Sequence, residues 1–155
     1  MDNIYSAREV AAGEADRLYP LMQAASSGMT LERWRAFVVA TTRRGNPQIS
    51  KAPRGIMAID CVRGYARALF TYSVEANLTC GRALQCDNLV VLNQFGIRTL
   101  MAAVVSGMHT LARRHDCQSI HVNLDDTPAE LTSLLERNGF ACEREVWCLQ
   151  DINAN

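Results

Sequence analysis

The chain has 155 residues, 48% of them apolar and 21% charged, and its 16 basic and 16 acidic side chains leave a formal net charge of zero. A chain of this length buries roughly two-thirds of its unfolded surface, so it is expected to fold without metal or disulfide as one domain, 1–150, with a tail over 151–155. Balanced charge argues against a nucleic-acid partner, and no run of about 18 apolar residues is available to span a membrane.

The elements follow in chain order. Ile4 to Val10 alternates weakly and reads as a first strand. Glu14 to Ala25 reads as a helix, because Leu18, Leu21, Met22 and Ala25 recur at spacings of three and four. Pro20 inside it predicts a kink or a split. Thr30 is placed to cap a second helix, with Leu31, Trp34, Phe37 and Val38 on one face. Gly45 to Arg54 has no period and reads as a loop. Gly55 to Cys61 and Tyr65 to Glu75 form a hairpin around Val62-Arg63-Gly64, with Gly64 free to take positive φ. Ala76 to Gly81 connects to a strand from Arg82 to Val91.

Arg98 to His115 carries the clearest helical stripe, from Leu100 to Ala112, with Arg113 and Arg114 in its last turn, where they suit the helix dipole. Ser119 to Leu124 alternates, with Ile120, Val122 and Leu124 on one side and His121 and Asn123 on the other. A helix capped at Asp126 or Thr127 runs to Arg137, buries Leu131, Leu134 and Leu135, and stops at Asn138-Gly139. Phe140 to Leu149 reads as a last strand. The Arg82–Val91 strand, the long helix and the Ser119–Leu124 strand form a parallel crossover unit. The order therefore predicts an α/β fold: a mixed central sheet of about six to seven strands with helices on both faces.

Six cysteines are present, none in a C-x-x-C pair. Met1 to Val10 has no apolar run, so the reading is reduced thiols in a cytoplasmic protein. His115, Cys117 and His121 are spaced without a fourth ligand, and no metal is expected.

Three segments carry a resemblance. Leu89-Val90-Val91 is similar to the "L-x-V" end of the strand that splays from its neighbour in the acetyl-CoA-dependent N-acetyltransferases, the GNAT superfamily. Leu111-Ala112-Arg113-Arg114-His115-Asp116-Cys117 resembles the family's helix exit, "L-A-r-e-x-G-c". Leu135-Glu136-Arg137-Asn138-Gly139-Phe140 resembles "Y-E-K-x-G-F". With the element order, the resemblance covers nearly the whole chain. It implies acetyl-CoA or a related acyl-CoA as donor and a small-molecule or protein amine as acceptor. It places the donor's arm against the backbone of Leu89 and Val91.

The family's pyrophosphate loop, Q/R-x-x-G-x-G/A, aligns with Gln94-Phe95-Gly96-Ile97-Arg98-Thr99. Helix N-terminal N–H groups point at phosphate there, and glycine lets the backbone approach. Gln94 matches, but Ile97 and Thr99 replace the small residues. A β-branched residue forced into a glycine conformation costs about 1–3 kcal/mol. Gly96 fills the first glycine position if the loop is one residue shorter, and Arg98 and the Thr99 hydroxyl supply donors.

The family's tyrosine acid is Leu135 here, and its early strand glutamate aligns near Ala83. An ammonium must lose a proton before it attacks a thioester, so a base is expected. The candidates are Asp87, which shares strand parity with Ala83 and Gln85; Glu75, with Tyr72 near it; and His121. Two other readings stay open: an inactive module that binds a ligand or partner, and an acyltransferase that takes its donor from an acyl-carrier protein. Exposed strand edges make a homodimer possible.

Overall fold

The computed structural model describes residues 4–26, 28–42, 52–92, 96–124 and 129–142. The strands are β1 (Tyr5–Glu9), β2 (Arg54–Cys61), β3 (Ala66–Asn77), β4 (Gly81–Val91) and β5 (Ser119–Val122). The helices are α1 (Ala15–Ala25), α2 (Leu31–Thr42), α3 (Ile97–Arg114) and α4 (Ala129–Arg137), and a single 3-10 turn, Ala12–Glu14, precedes α1. The sheet order is β1-β2-β3-β4-β5. The first four strands run antiparallel to their neighbours, and β5 pairs parallel with β4. The sheet is thus mixed, as its sequence pattern predicts.

Alternation along the strands builds two cores. Ile56 and Ala58 of β2 and Leu69 of β3 pack against Leu18, Leu21, Met22, Trp34 and Val38 of α1 and α2. Met57 and Ile59, then Ala68, Phe70, Tyr72 and Val74, face the other way onto the α3 stripe and the leucines of α4. Helices therefore cover both faces. Trp34 and Phe70 are fully buried, and each such side chain contributes roughly 1.5–3 kcal/mol through burial. The indole N–H of Trp34 donates to the Ala15 carbonyl at 2.6 Å, which fixes α2 to the start of α1.

The expected boundaries shift little. Thr30 caps α2, its hydroxyl accepting the Arg33 N–H at 3.2 Å. The α1 helix is not split: it runs continuously through Pro20, whose ring lies on the exposed side. Arg54 belongs to β2 rather than to the preceding loop, and residues 43–51 of that loop lie outside the described residues. Gly64 and Gly139 take positive φ at the turns where the sequence predicts them. Five strands are present among the described residues. Of the further strand expected over Phe140–Leu149, residues 140–142 are irregular and the rest lies outside the described residues. So do the expected caps Asp126 and Thr127.

Candidate functional site

The β4–β5 ladder is shorter than β4. It runs from Ala83 opposite Ser119 to Cys86 opposite Val122, and the Asn123 N–H closes it on the Cys86 carbonyl at 2.9 Å. β4 continues to Val91, held only by β3, where Ala68 faces Val91. From Asp87 to Val91 its other edge has no partner strand among the described residues.

A bulge sits at the parting point. Leu69 faces Val90 and Thr71 faces Asp87, so Asn88 and Leu89 share the single partner position of Phe70. Asn88 adopts φ 51, a left-handed conformation that asparagine tolerates better than most residues. Its side-chain amide donates to the Thr71 hydroxyl at 3.0 Å. The extra residue reverses strand parity. Leu84 and Cys86 face α3 before the bulge, and Leu89 and Val91 pack against the same core after it.

The strand leads into the start of α3. Gly96 is the N-cap residue at φ 88, with no side-chain cap. The first intrahelical bond runs from the Leu100 N–H to the Gly96 carbonyl at 3.0 Å. By position, the N–H groups of Ile97, Arg98 and Thr99 have no acceptor within the helix. Ile97 and Thr99 lie inside α3, so the strain expected for β-branched residues in glycine positions does not arise. Gly96 alone carries the positive φ. Among the described residues, a Cβ there would meet only the Tyr5 hydroxyl, at 3.9 Å, within 4 Å. Gln94 lies outside the described residues.

The three carboxylate and imidazole candidates share one face of the sheet. Antiparallel register sets Thr71, Ser73 and Glu75 beside Asp87, Gln85 and Ala83, and parallel register sets His121 beside Gln85. Their surroundings differ. Asp87 stands one residue past the last rung of the β4–β5 ladder, half-buried, and accepts from the Gln85 amide at 3.3 Å. Glu75 is exposed and accepts from the Ser73 hydroxyl at 3.0 Å. Its partner Ala83 stands four positions before Asp87 on β4, about 13 Å of strand. His121 turns away from Asp87: its Nε2 lies 3.2 Å from the Ser119 hydroxyl and 4.0 Å from the Cys80 thiol.

No protein-family model matches the sequence, and no curated protein sequence does. Solved structures do match. A ribosomal-protein-alanine N-acetyltransferase from Brucella melitensis biovar Abortus 2308 superposes with TM-score 0.73 at 12% identity, covering 94% of this chain and 99% of that one. The aminoglycoside N-acetyltransferase AAC(6')-Iy, in complex with CoA, gives 0.73 at 11% identity over 94% and 93%. A glucosamine-6-phosphate N-acetyltransferase from Arabidopsis thaliana gives 0.65 at 16% identity over 94% and 97%. The chain has the GNAT fold.

Within the GNAT fold two expected neighbours separate. Leu135 is buried with Leu131 and Leu134 against α3 and has no proton to give. Tyr72 does not accompany Glu75: it lies on the α3 side, its hydroxyl donating to Glu9 at 2.7 Å. Burial, then the Glu9 carboxylate, pushes the phenol well above its usual range.

Three features of the site escape a reading by single residues: the Asn88 bulge, the Gln85 bond to Asp87, and the Cys80–Ser119–His121 group. The bulge does leave a signal. Apolar parity switches between Leu84-x-Cys86 and Leu89-x-Val91, across an Asp-Asn pair ill suited to a strand interior.

Proposed function

We propose that the chain is an N-acyltransferase that moves an acetyl or other acyl group from a CoA-type thioester to an amine. The observation that carries this reading is the parting of β4 from β5 at the Asn88 bulge, directly before a glycine-capped helix start. The free backbone edge of Leu89 and Val91 offers amide donors and carbonyl acceptors to the amide-rich arm of CoA. The α3 N-terminus, with Gly96, Ile97, Arg98 and Thr99, offers N–H groups and a guanidinium to its pyrophosphate, and Gly96 leaves the approach open. Structures of this fold solved with CoA or a CoA bisubstrate analog support a CoA-type donor.

The bound thioester supplies the activated acyl group. The protein orients it along β4 and takes up the proton that the acceptor amine loses. Asp87 is the base we assign, because it alone of the three candidates stands at the end of the ladder. Glu75 lies toward the far end of the same face, and His121 is engaged elsewhere. The acceptor is a small-molecule or protein amine that approaches over the polar β3–β5 face.

Calorimetric titration with acetyl-CoA and with CoA tests the donor. Saturable binding at micromolar to millimolar ligand is expected, and no heat at millimolar ligand rejects it. Leu135, which replaces a proton donor by a core leucine, favours the second reading, a module that binds without catalysis. That reading predicts ligand binding with no acyl transfer to any amine in a panel.

A further inference from the structure

Cys80, Ser119 and His121 form a cluster that acyl transfer does not use. The Cys80 thiol lies 3.0 Å from the Ser119 hydroxyl, which lies 3.2 Å from His121 Nε2. The direct distance from thiol to imidazole is 4.0 Å. All three residues are half-buried, so solvent-borne reagents reach them. With Nε2 unprotonated, a proton path runs from S–H to hydroxyl to imidazole. A nucleophile within hydrogen-bond reach of a base is the arrangement that activates a thiol.

The backbone holds this geometry. The β3–β4 turn is clamped by the Asn77 side chain, which accepts the N–H groups of Thr79 and Cys80 at 2.9 and 3.0 Å. Gln118 then ties the turn to the start of β5, accepting the Arg82 N–H at 2.7 Å. Cys80 stands seven positions before Asp87 in the chain, while His121 lies beside Gln85, two positions from Asp87. Thiol exchange uses neither Asp87 nor the start of α3, so it does not rest on the acyl-transfer reading.

We propose that Cys80 is a base-assisted nucleophilic thiol that undergoes exchange with low-molecular-weight disulfides, with Ser119 and His121 as its proton relay. In the step, the thiol proton passes to His121 Nε2, and the thiolate attacks one sulfur of a disulfide RSSR. The S–S bond of RSSR breaks as the bond from Cys80 to SR forms. The RS⁻ that leaves takes the proton from His121. Cys80 is oxidised, and the departing sulfur is reduced. The other described thiols lack such a relay. Burial, then Asp87 and Cys117, pushes the Cys86 thiol up to about 12. Burial likewise raises the Cys117 thiol. Cys61 has the Arg67 side chain and turn N–H groups beside it but no base.

The test exposes the reduced full-length protein to oxidised glutathione and follows each cysteine by peptide mass spectrometry. A positioned base speeds proton transfer by about a hundredfold or more, and exchange depends only partly on thiolate supply. Cys80 is therefore expected to react about tenfold faster than the exposed Cys142. His121→Gln should slow Cys80 about tenfold, Ser119→Ala should slow it in the same direction, and neither should change the rate at Cys142. Circular dichroism checks the fold, and if His121→Gln does not fold, Ser119→Ala decides. Reaction at Cys80 no faster than at Cys142, labelling led by Cys61 instead, or a Cys80 rate that neither variant slows overturns the proposal.

Discussion

A carboxylate in a cleft acts as a base only where it meets the proton to be moved. In the proposed site, register puts Asp87 beside the parting of β4 and β5, whereas Glu75, of the same chemistry and on the same face, lies farther along β3. The isosteric change Asp87→Asn is predicted to lower acyl transfer about a hundredfold, the low end of what a general base contributes, while CoA affinity stays unchanged. Steady-state rates and calorimetry on one preparation check both parts, and full activity in the variant removes Asp87 from the mechanism. Tyr72 makes the second prediction at this scale. The folded protein holds its phenol above the ordinary value of 10.0. Above that pH the unfolded chain releases the proton while the folded chain keeps it, so stability falls as pH rises. Below it the contribution is fully present. Urea unfolding between about pH 9 and 11 should show a falling slope in the wild type and a shallower one in Tyr72→Phe, the remainder including that of the raised Cys86 thiol.

At the scale of the element, one extra residue in β4 decides how the strand ends. The bulge bends β4 where its pairing with β5 stops, and it returns Leu89 and Val91 to the core side. Asn88 sustains it through a left-handed backbone and the bond to Thr71. A β-branched residue in that conformation costs roughly 1–2 kcal/mol. Asn88→Val is predicted to lower stability by about that amount and to weaken acetyl-CoA binding. Asn88→Gly, which accepts positive φ, should keep the binding even without the side-chain bond. Chemical denaturation and calorimetry separate the two effects. If both variants bind equally weakly, the amide rather than the backbone is what matters. The surface pair Arg35–Asp16, with contacts of 2.7 and 2.6 Å, is a contrast: both partners are exposed, and water screens most of its worth.

For the whole molecule, the site lies between units that fold for other reasons. β4 belongs to the sheet, α3 to the core beneath it, and the open edge appears where the two part. A ligand that bridges β4 and the α3 start binds the folded state alone and so raises stability by mass action. At a hundred times its dissociation constant, acetyl-CoA should add about 2.7 kcal/mol, which in a domain of this size is a rise of about 5–10 °C in melting temperature. Differential scanning fluorimetry reads this shift. A shift with CoA but no transfer to any amine favours the binding module, and no shift with either speaks against the donor site.

The sequence by itself determined the kinds of element and their order. The α3 stripe, the hairpin at Gly64, the stop at Gly139 and the alternation of Ile120 and Val122 are local patterns, set by periods of 3.6 and 2 and by glycine's tolerance of positive φ. It also marks the start of α3 as a candidate place for an anion, since helix geometry leaves N–H groups there without intrahelical acceptors. Tertiary structure decided what those elements do together. Which rung ends the β4–β5 ladder, which side of the sheet takes Tyr72, and whether His121 meets Asp87 or Cys80 depend on side chains far apart in sequence, such as Cys80 and His121, 41 residues apart. Pairing of that kind is set by register and packing across the whole sheet, and a one-residue bulge changes it while leaving only a parity switch between Cys86 and Leu89 in the sequence.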